Sequence, residues 1–322
     1  MWTSRPPDDS LSSSVAGLAL LDRRLLLVTG KGGVGKSTVS AALALLAARR
    51  GKRVLVAEVN AQERVAPLLG APPAGPVARS AAPGISTVNV DPQHALEEYG
   101  LMVLRYRALY QAVFENRVVK FFLRVIPALP ETLMLGKILY EARVEQGGRP
   151  RWDLVIVDAP ATGHAVQLFR VPQALLDTVP GGPMRRDAEW MHALLTDPER
   201  TALSLVALPE EMPVSETIDL DQQVRELLHI PRGPLFLNAM PDARFTPAER
   251  ETLARVEISP PPLGPAAQAS LLQAERTEQA QRHARRLAAA VDLPTVTLPL
   301  LAVDRWGRGA VERIADAMDG AL

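Results

Sequence analysis

The stretch Gly30-Lys31-Gly32-Gly33-Val34-Gly35-Lys36-Ser37-Thr38 gathers four glycines, two lysines and two hydroxyl side chains directly after the apolar run Leu25-Leu26-Leu27-Val28. It fits the pattern G-x-x-x-x-G-K-[ST], in which glycines let backbone N–H groups approach phosphate oxygens and the lysine reaches the outer phosphates. The chemistry is phosphate binding, with Gly32, Gly33, Val34, Gly35, Lys36, Ser37 and Thr38 as the cradle. The residues from Ser37 to Arg49 read as a helix, so the anion would lie at a helix N-terminus, where unpaired N–H groups and the helix dipole favour negative charge. Only five lysines occur in the chain, and two of them are in this loop. Lysine is a compact point charge that can follow a transferring phosphate, whereas arginine is a larger planar fork. Lys36 takes the usual place; Lys31 is an additional cation, which spacing alone also allows to be a solvated loop charge.

A second element is Asp153-Leu154-Val155-Ile156-Val157-Asp158, an apolar run closed by a carboxylate. In phosphate-loop enzymes a strand-end aspartate holds Mg²⁺, directly or through water, while the loop hydroxyl is an inner ligand. Asp158 and Ser37 are the candidates for Mg²⁺; a strand-end aspartate by itself equally suits a turn or a helix cap, and the loop tips the balance. Asn238 ends a later apolar run and is followed by Ala239-Met240-Pro241, so the lysine and aspartate of a guanine-reading N-K-x-D motif are missing. ATP is therefore expected rather than GTP.

Positioning these groups takes a sheet. Apolar runs at Leu25–Thr29, Arg53–Glu58, Ile85–Val90, Trp152–Asp158, Leu203–Leu208, Pro234–Asn238 and Pro294–Leu298 alternate with helical segments. Continuous Val, Ile and Leu runs suit strands covered on both faces, and the alternation implies an α/β fold with a doubly wound, mostly parallel sheet. Residues 1–20 read as a disordered polar tail and 21–322 as one domain carrying helical insertions near 93–145 and 171–200. These insertions would form a helical subdomain. Their methionines and aromatics (Met102, Tyr106, Tyr110, Phe114, Phe121, Phe122 and Met134, then Met184, Trp190 and Met191) suit an adaptable groove or an ordinary core. Residues 71–83 read as a surface loop and Pro265–Ala290 as a helix with a solvated arginine face.

Composition narrows the partners. Lys+Arg and Asp+Glu both number 36, and aromatics make up 4% of the 322 residues, so neither a basic field nor a stacking surface for nucleic acid is evident. There is no cysteine, which excludes disulfides and thiolate metal sites. No run approaches the length of a membrane span, so a cytoplasmic protein without an integral membrane segment is expected.

The loop KGGVGKST, the run Asp158-Ala159-Pro160-Ala161-Thr162-Gly163-His164, Asn238, and Pro299-Leu300-Leu301 together resemble the ArsA-type ATPases, with similarity running from about Asp22 over nearly the whole chain. That resemblance implies a dimer, with itself or with a paralogue, that sandwiches two ATP molecules. It implies that Lys31 crosses to the partner's nucleotide to neutralise charge developing during transfer. It places Asn238, Pro299 and Leu301 around the adenine. It makes Asp158–His164 a switch that reports the γ-phosphate to the helical subdomain, where a protein client would bind. The chain departs from the family at Asn60, which stands where a water-orienting aspartate is usual; Glu58 and Glu63 are the nearby carboxylates that could substitute. Arsenite capture by thiols is not available to a chain without cysteine, and neither is the zinc-bridged cysteine pair of the eukaryotic targeting factor. Two other readings remain open: a slow or non-hydrolysing ATP switch or the regulatory half of a heterodimer, which Asn60 motivates, and a MinD- or ParA-like positioning ATPase. The second is disfavoured by the acidic C-terminal segment with Glu312, Asp316 and Asp319.

Overall fold

The computed structural model describes residues 20–104 and 128–322. The expected tail up to residue 19 and the side chains of Met102, Tyr106, Tyr110, Phe114, Phe121 and Phe122 lie outside the described residues. β1 (Leu25–Gly30) runs through the glycine loop into α1 (Lys36–Arg49), and β2 (Val54–Val59) follows. A short turn of helix, α2 (Val65–Leu68), precedes β3 (Arg79–Ala82) and β4 (Ile85–Val90). Next come α3 (Pro92–Leu104), α4 (Leu129–Arg143), the small hairpin β5 (Glu145–Gln146) and β6 (Arg149–Pro150), and β7 (Leu154–Ala161). α5 (Thr162–Thr178) and α6 (Pro183–Thr196) lead to β8 (Thr201–Ala207) and α7 (Glu211–Gln223), which ends in a π-helical turn over Val224–Leu228. β9 (Leu235–Met240), α8 (Pro247–Val256), α9 (Leu263–Ala290), β10 (Thr295–Pro299) and α10 (Arg308–Asp319) complete the chain.

The main sheet has the order β10-β9-β8-β1-β7-β2-β4-β3. All its pairings are parallel except that of β3 with β4. The expected α/β class and mostly parallel doubly wound sheet are what the chain forms. β1 lies between β8 and β7, so strand order reverses around it and the crevice beyond its C-terminal end is where ligands collect in such sheets.

Side-chain alternation along the strands divides the core in two. Leu25, Leu27, Leu55, Ala57, Val155 and Val157 face helices α4 to α7 and α9, with Ile138, Phe169, Met191, Val214 and Leu287. Leu26, Val28, Val54, Val56, Leu154 and Ile156 face α1 and α10, with Leu43, Leu46, Ile314 and Met318. Such strands must be apolar on both sides, which is why their sequences run continuously hydrophobic; truncating Leu27, fully buried, to alanine should cost about 2–5 kcal/mol. α1 is buried from Val39 to Ala47 because the sheet covers one side and α10 the other. Asp316 and Asp319 of α10 pair with Arg49 and Arg50 at 2.6 and 2.7 Å, so part of the acidic C-terminal charge is spent on the basic end of α1.

The sequence reading needs correcting at three boundaries. Residues 71–83 are not loop throughout, because Arg79–Ala82 forms the antiparallel edge strand on β4. The second helical stretch starts at Thr162 rather than near Val171: α5 runs without a break past Pro172, which is buried with Leu168, Phe169 and Val171. Leu20 and Leu21 are already core residues. Met134 and Met191 are buried, whereas Met184 is exposed. No helix among the described residues is long and apolar enough to cross a membrane.

Candidate nucleotide site

The loop after β1 has its shape imposed by two glycines. At Gly30, with φ of 153°, a Cβ would collide with the Val206 carbonyl oxygen of β8. At Gly35, with φ of 94° at the N-terminus of α1, a Cβ would collide with the Asn238 amide. Gly32 and Gly33 have open space around them, and Val34, 1% exposed, anchors the loop in the core. Gly35 offers no side-chain cap, so the first turn of α1, with Lys36, Ser37 and Thr38, keeps N–H groups free for an anion. Asn238 donates from Nδ2 to the Val34 carbonyl at 2.9 Å, so the end of β9 buttresses the loop directly. That is a contact the sequence did not reveal.

Lys36 folds over this loop. Its Nζ donates to the carbonyls of Gly30 at 3.3 Å and Lys31 at 3.1 Å. Burial lowers its pKa, and the nearby Asp158 opposes that shift. Asp158 accepts from Ser37 Oγ at 2.6 Å and from Ser40 Oγ at 3.3 Å. Burial raises its pKa, opposed by the Ser37 hydroxyl, the Lys36 charge and the Ser40 hydroxyl. Ser40 was not singled out from the sequence, although its place three residues after Ser37 puts both hydroxyls on one helix face. Among the described residues no group of three or more His, Cys, Asp and Glu side chains converges as a metal cage. One carboxylate and one or two hydroxyls is the oxygen set that suits Mg²⁺, which keeps waters and takes phosphate oxygens.

β2 brings a second carboxylate beside Asp158. Glu58 lies in register with it across the β2–β7 pair and is 1% exposed. Its Oε1 accepts the backbone N–H of Arg64 at 2.6 Å and of Val65 at 3.2 Å, while its Oε2 is buried without a partner. Burial is the largest influence on it and pushes its pKa up to about 7, against the two backbone N–H groups and with the Asp158 charge adding to the rise. Glu63, the other candidate substitute, has both oxygens engaged by the N–H groups of Ala74 and Gly75. Asn60 is exposed, with φ of 44°, a left-handed conformation that asparagine and aspartate tolerate better than most side chains. Its N–H bonds to the Val90 carbonyl at 2.8 Å, and the Asn89 amide clasps Ala61.

Lys31 points away from the loop, with Nζ 2.7 Å from Glu216 Oε1 on α7. Thr162, Gly163 and His164 form the first turn of α5, the last two exposed. In the segment expected near the base, Pro299 lies in register with Met240 and the Leu300 N–H bonds to the Met240 carbonyl at 2.9 Å. Leu301 turns into the core at 9% exposure, which leaves Leu300, at 57%, as the exposed side chain there. An open cleft of about 570 Å³ lies between α4 and α5, lined by Leu129, Thr132, Val171, Leu175 and Met184 among others.

Residues 23–180 match the family model described as anion-transporting ATPase. The chain is similar to the ATPase BagA of Mycobacterium tuberculosis, 33% identical over 241 residues that cover 73% of this chain and 70% of that protein. It is 26% identical over 314 residues to an arsenical pump-driving ATPase of Acidiphilium multivorum, covering 92% of this chain and 50% of that protein. The same figure for an arsenical pump-driving ATPase of Escherichia coli is 28% over 207 residues, 59% of this chain and 35% of that protein. The chain therefore spans half or less of those two relatives.

Proposed function

The chain belongs to the anion-transporting ATPase family, and from that premise we propose that it is an Mg²⁺-dependent ATPase that acts as a dimer and couples its nucleotide state to a protein client or partner. The observation that carries this reading is the junction of loop and strand. Ser37 Oγ lies 2.6 Å from Asp158 Oδ2 at the base of a free helix N-terminus.

The residues divide the work. Backbone N–H groups from Gly32 to Thr38 cradle the phosphates, and Lys36, now spanning loop carbonyls, exchanges them for phosphate oxygens. Ser37 and Asp158 would hold Mg²⁺, which when bound supplies charge neutralisation between the outer phosphates. Asn60 orients water but cannot accept its proton, whereas Glu58, with a spare oxygen and a pKa near neutrality, can accept one. Lys31 of each subunit serves the nucleotide of the other. α5 begins just after the Asp158 strand end and carries Val171 and Leu175 to the cleft, so a shift at Thr162 is transmitted along one rigid helix to the place where a client would bind.

Steady-state phosphate release by the purified protein, compared with a Lys36→Ala variant, tests the reading. Release that depends on Mg²⁺ and falls to background in the variant is expected. Equal rates would overturn the ATPase assignment. Asn60 favours a second reading, an ATP-binding switch with negligible turnover, and retained ATP affinity without release would select it.

A further inference from the structure

The two lysines of the loop are held in opposite ways. Among the described residues Lys36 bonds to backbone carbonyls of its own loop, partners that an arriving phosphate readily replaces. Lys31 is paired instead with a full negative charge, Glu216, across 185 positions of sequence. The two side chains are 26% and 35% exposed. Glu216 is presented by a helix whose rotation is fixed on either side. Val214, Thr217 and Leu220 of α7 are buried at 2% exposure or less, and Ser215 Oγ accepts from Arg286 of α9 at 3.1 Å. The carboxylate is thus aimed at Lys31 by the packing of α7.

We propose that Glu216 is an intrasubunit latch that positions Lys31 within its own subunit, so that the lysine becomes free to serve a second nucleotide only when this pair opens. The destination of Lys31 rests on the dimer reading given under Proposed function; the latch itself rests on the ion pair. A pair this exposed biases the lysine by only a few-fold, about fivefold at most. A bias of that size holds the lysine at rest yet yields to the several negative charges of a triphosphate.

The lysines of the chain are few enough to be followed one by one, so amine acylation with a small activated ester, read by mass spectrometry on the nucleotide-free full chain, reports the latch without any activity measurement. Glu216→Gln should speed acylation at Lys31 several-fold, with Lys52, paired to Asp22 at 2.6 Å, serving as the internal reference. Glu216→Asp should restore most of the protection. Association, followed by light scattering with a non-hydrolysable ATP analogue and Mg²⁺, should occur at several-fold lower protein concentration in Glu216→Gln than in the wild type, and melting curves should show both variants folded. Unchanged acylation at Lys31 overturns the latch. Faster acylation with unchanged or weaker association overturns its control of pairing. A wild type that remains monomeric with the analogue, or a Lys31→Ala variant that associates and turns over normally, overturns the dimer reading instead, and acylation still reports the ion pair.

Discussion

Glu58 and Asp158 lie in register near the C-terminal ends of neighbouring parallel strands, face the same α1 side of the sheet and are both buried, yet the chain wires them differently. Asp158 is saturated from α1: two serine hydroxyls bond to its oxygens and Lys36 stands near. Glu58 spends one oxygen on the backbone at the start of α2 and leaves the other bare. Burial raises the pKa of both, but at Asp158 two hydroxyls and a lysine oppose the rise and favour the charged form, which can hold a metal with phosphate. A carboxylate held by backbone N–H groups in an apolar setting is poised to change protonation near neutral pH. Two acids on adjacent strands therefore divide into a charge holder and a proton acceptor, the way environment separates paired carboxylates in hydrolases generally.

The largest effect should come from erasing the first role. Asp158→Asn is expected to lower Mg²⁺-supported phosphate release by roughly two orders of magnitude, the order seen when a group that organises transition-state charge is lost. Isothermal titration should show ATP binding that no longer responds to Mg²⁺. If Asp158→Asn and Glu58→Gln gave equal losses, the division of labour would be wrong.

Glu58→Gln should instead change the pH dependence. The wild-type rate is expected to rise as pH passes through about 7, as Glu58 ionises, and the variant should be slower, with that rise flattened. Stability carries an independent sign. A raised carboxylate pKa means that the folded state binds more protons than the unfolded chain between the ordinary glutamate value of 4.5 and about 7. Stability is then fully present below the lower value and declines as pH rises to the upper one, by no more than about 3 kcal/mol. Glu58→Gln should remove that decline, which denaturant titrations at pH 5 and pH 8 would measure.

Asn60→Asp comes next in size. Aspartate tolerates the left-handed backbone at 60 as asparagine does, so the variant should fold, and a carboxylate there should raise turnover about tenfold. No increase would mean that Glu58 already suffices as the acceptor.

How much of this was readable from sequence follows from how local each signal is. The seven apolar runs correspond to strands, the central ones most plainly because burial on both faces leaves a continuous mark in composition, and the loop is legible because its glycines are required by collisions at Gly30 and Gly35. β3 left no such mark: Arg-Ser-Ala-Ala is weakly strand-forming and exposed at Arg79 and Ser80, and it exists as a strand through its pairing with β4. α5 continues through Pro172, which would end an isolated helix but here is held by buried neighbours. Asn238 beneath the loop, Ser40 beside Asp158, and Glu216 on Lys31 are contacts between distant segments, and single residues of ordinary type carry no advance notice of them. The choice between Glu58 and Glu63 was open in sequence for the same reason.

Glu63 provides the finest test of the comparison because it is the second carboxylate of the segment that carries Glu58 and has no oxygen to spare. Both its oxygens accept N–H groups of the loop at Ala74 and Gly75. Glutamine keeps one acceptor and turns an amide donor toward the other N–H, so Glu63→Gln should lose one bond and leave a donor facing a donor. The cost should be about 1–2 kcal/mol. That would appear as a melting midpoint lower by a few degrees, with turnover changed less than twofold and the pH–rate curve keeping its wild-type shape. A flattened curve in Glu63→Gln would show that tension in the segment, transmitted through the Arg64 and Val65 N–H groups, governs the profile, and the spare oxygen of Glu58 would lose its special standing. An unchanged curve beside a flattened one for Glu58→Gln would locate the titrating group by elimination, since the two glutamates share a segment and differ in whether an oxygen is left unpaired.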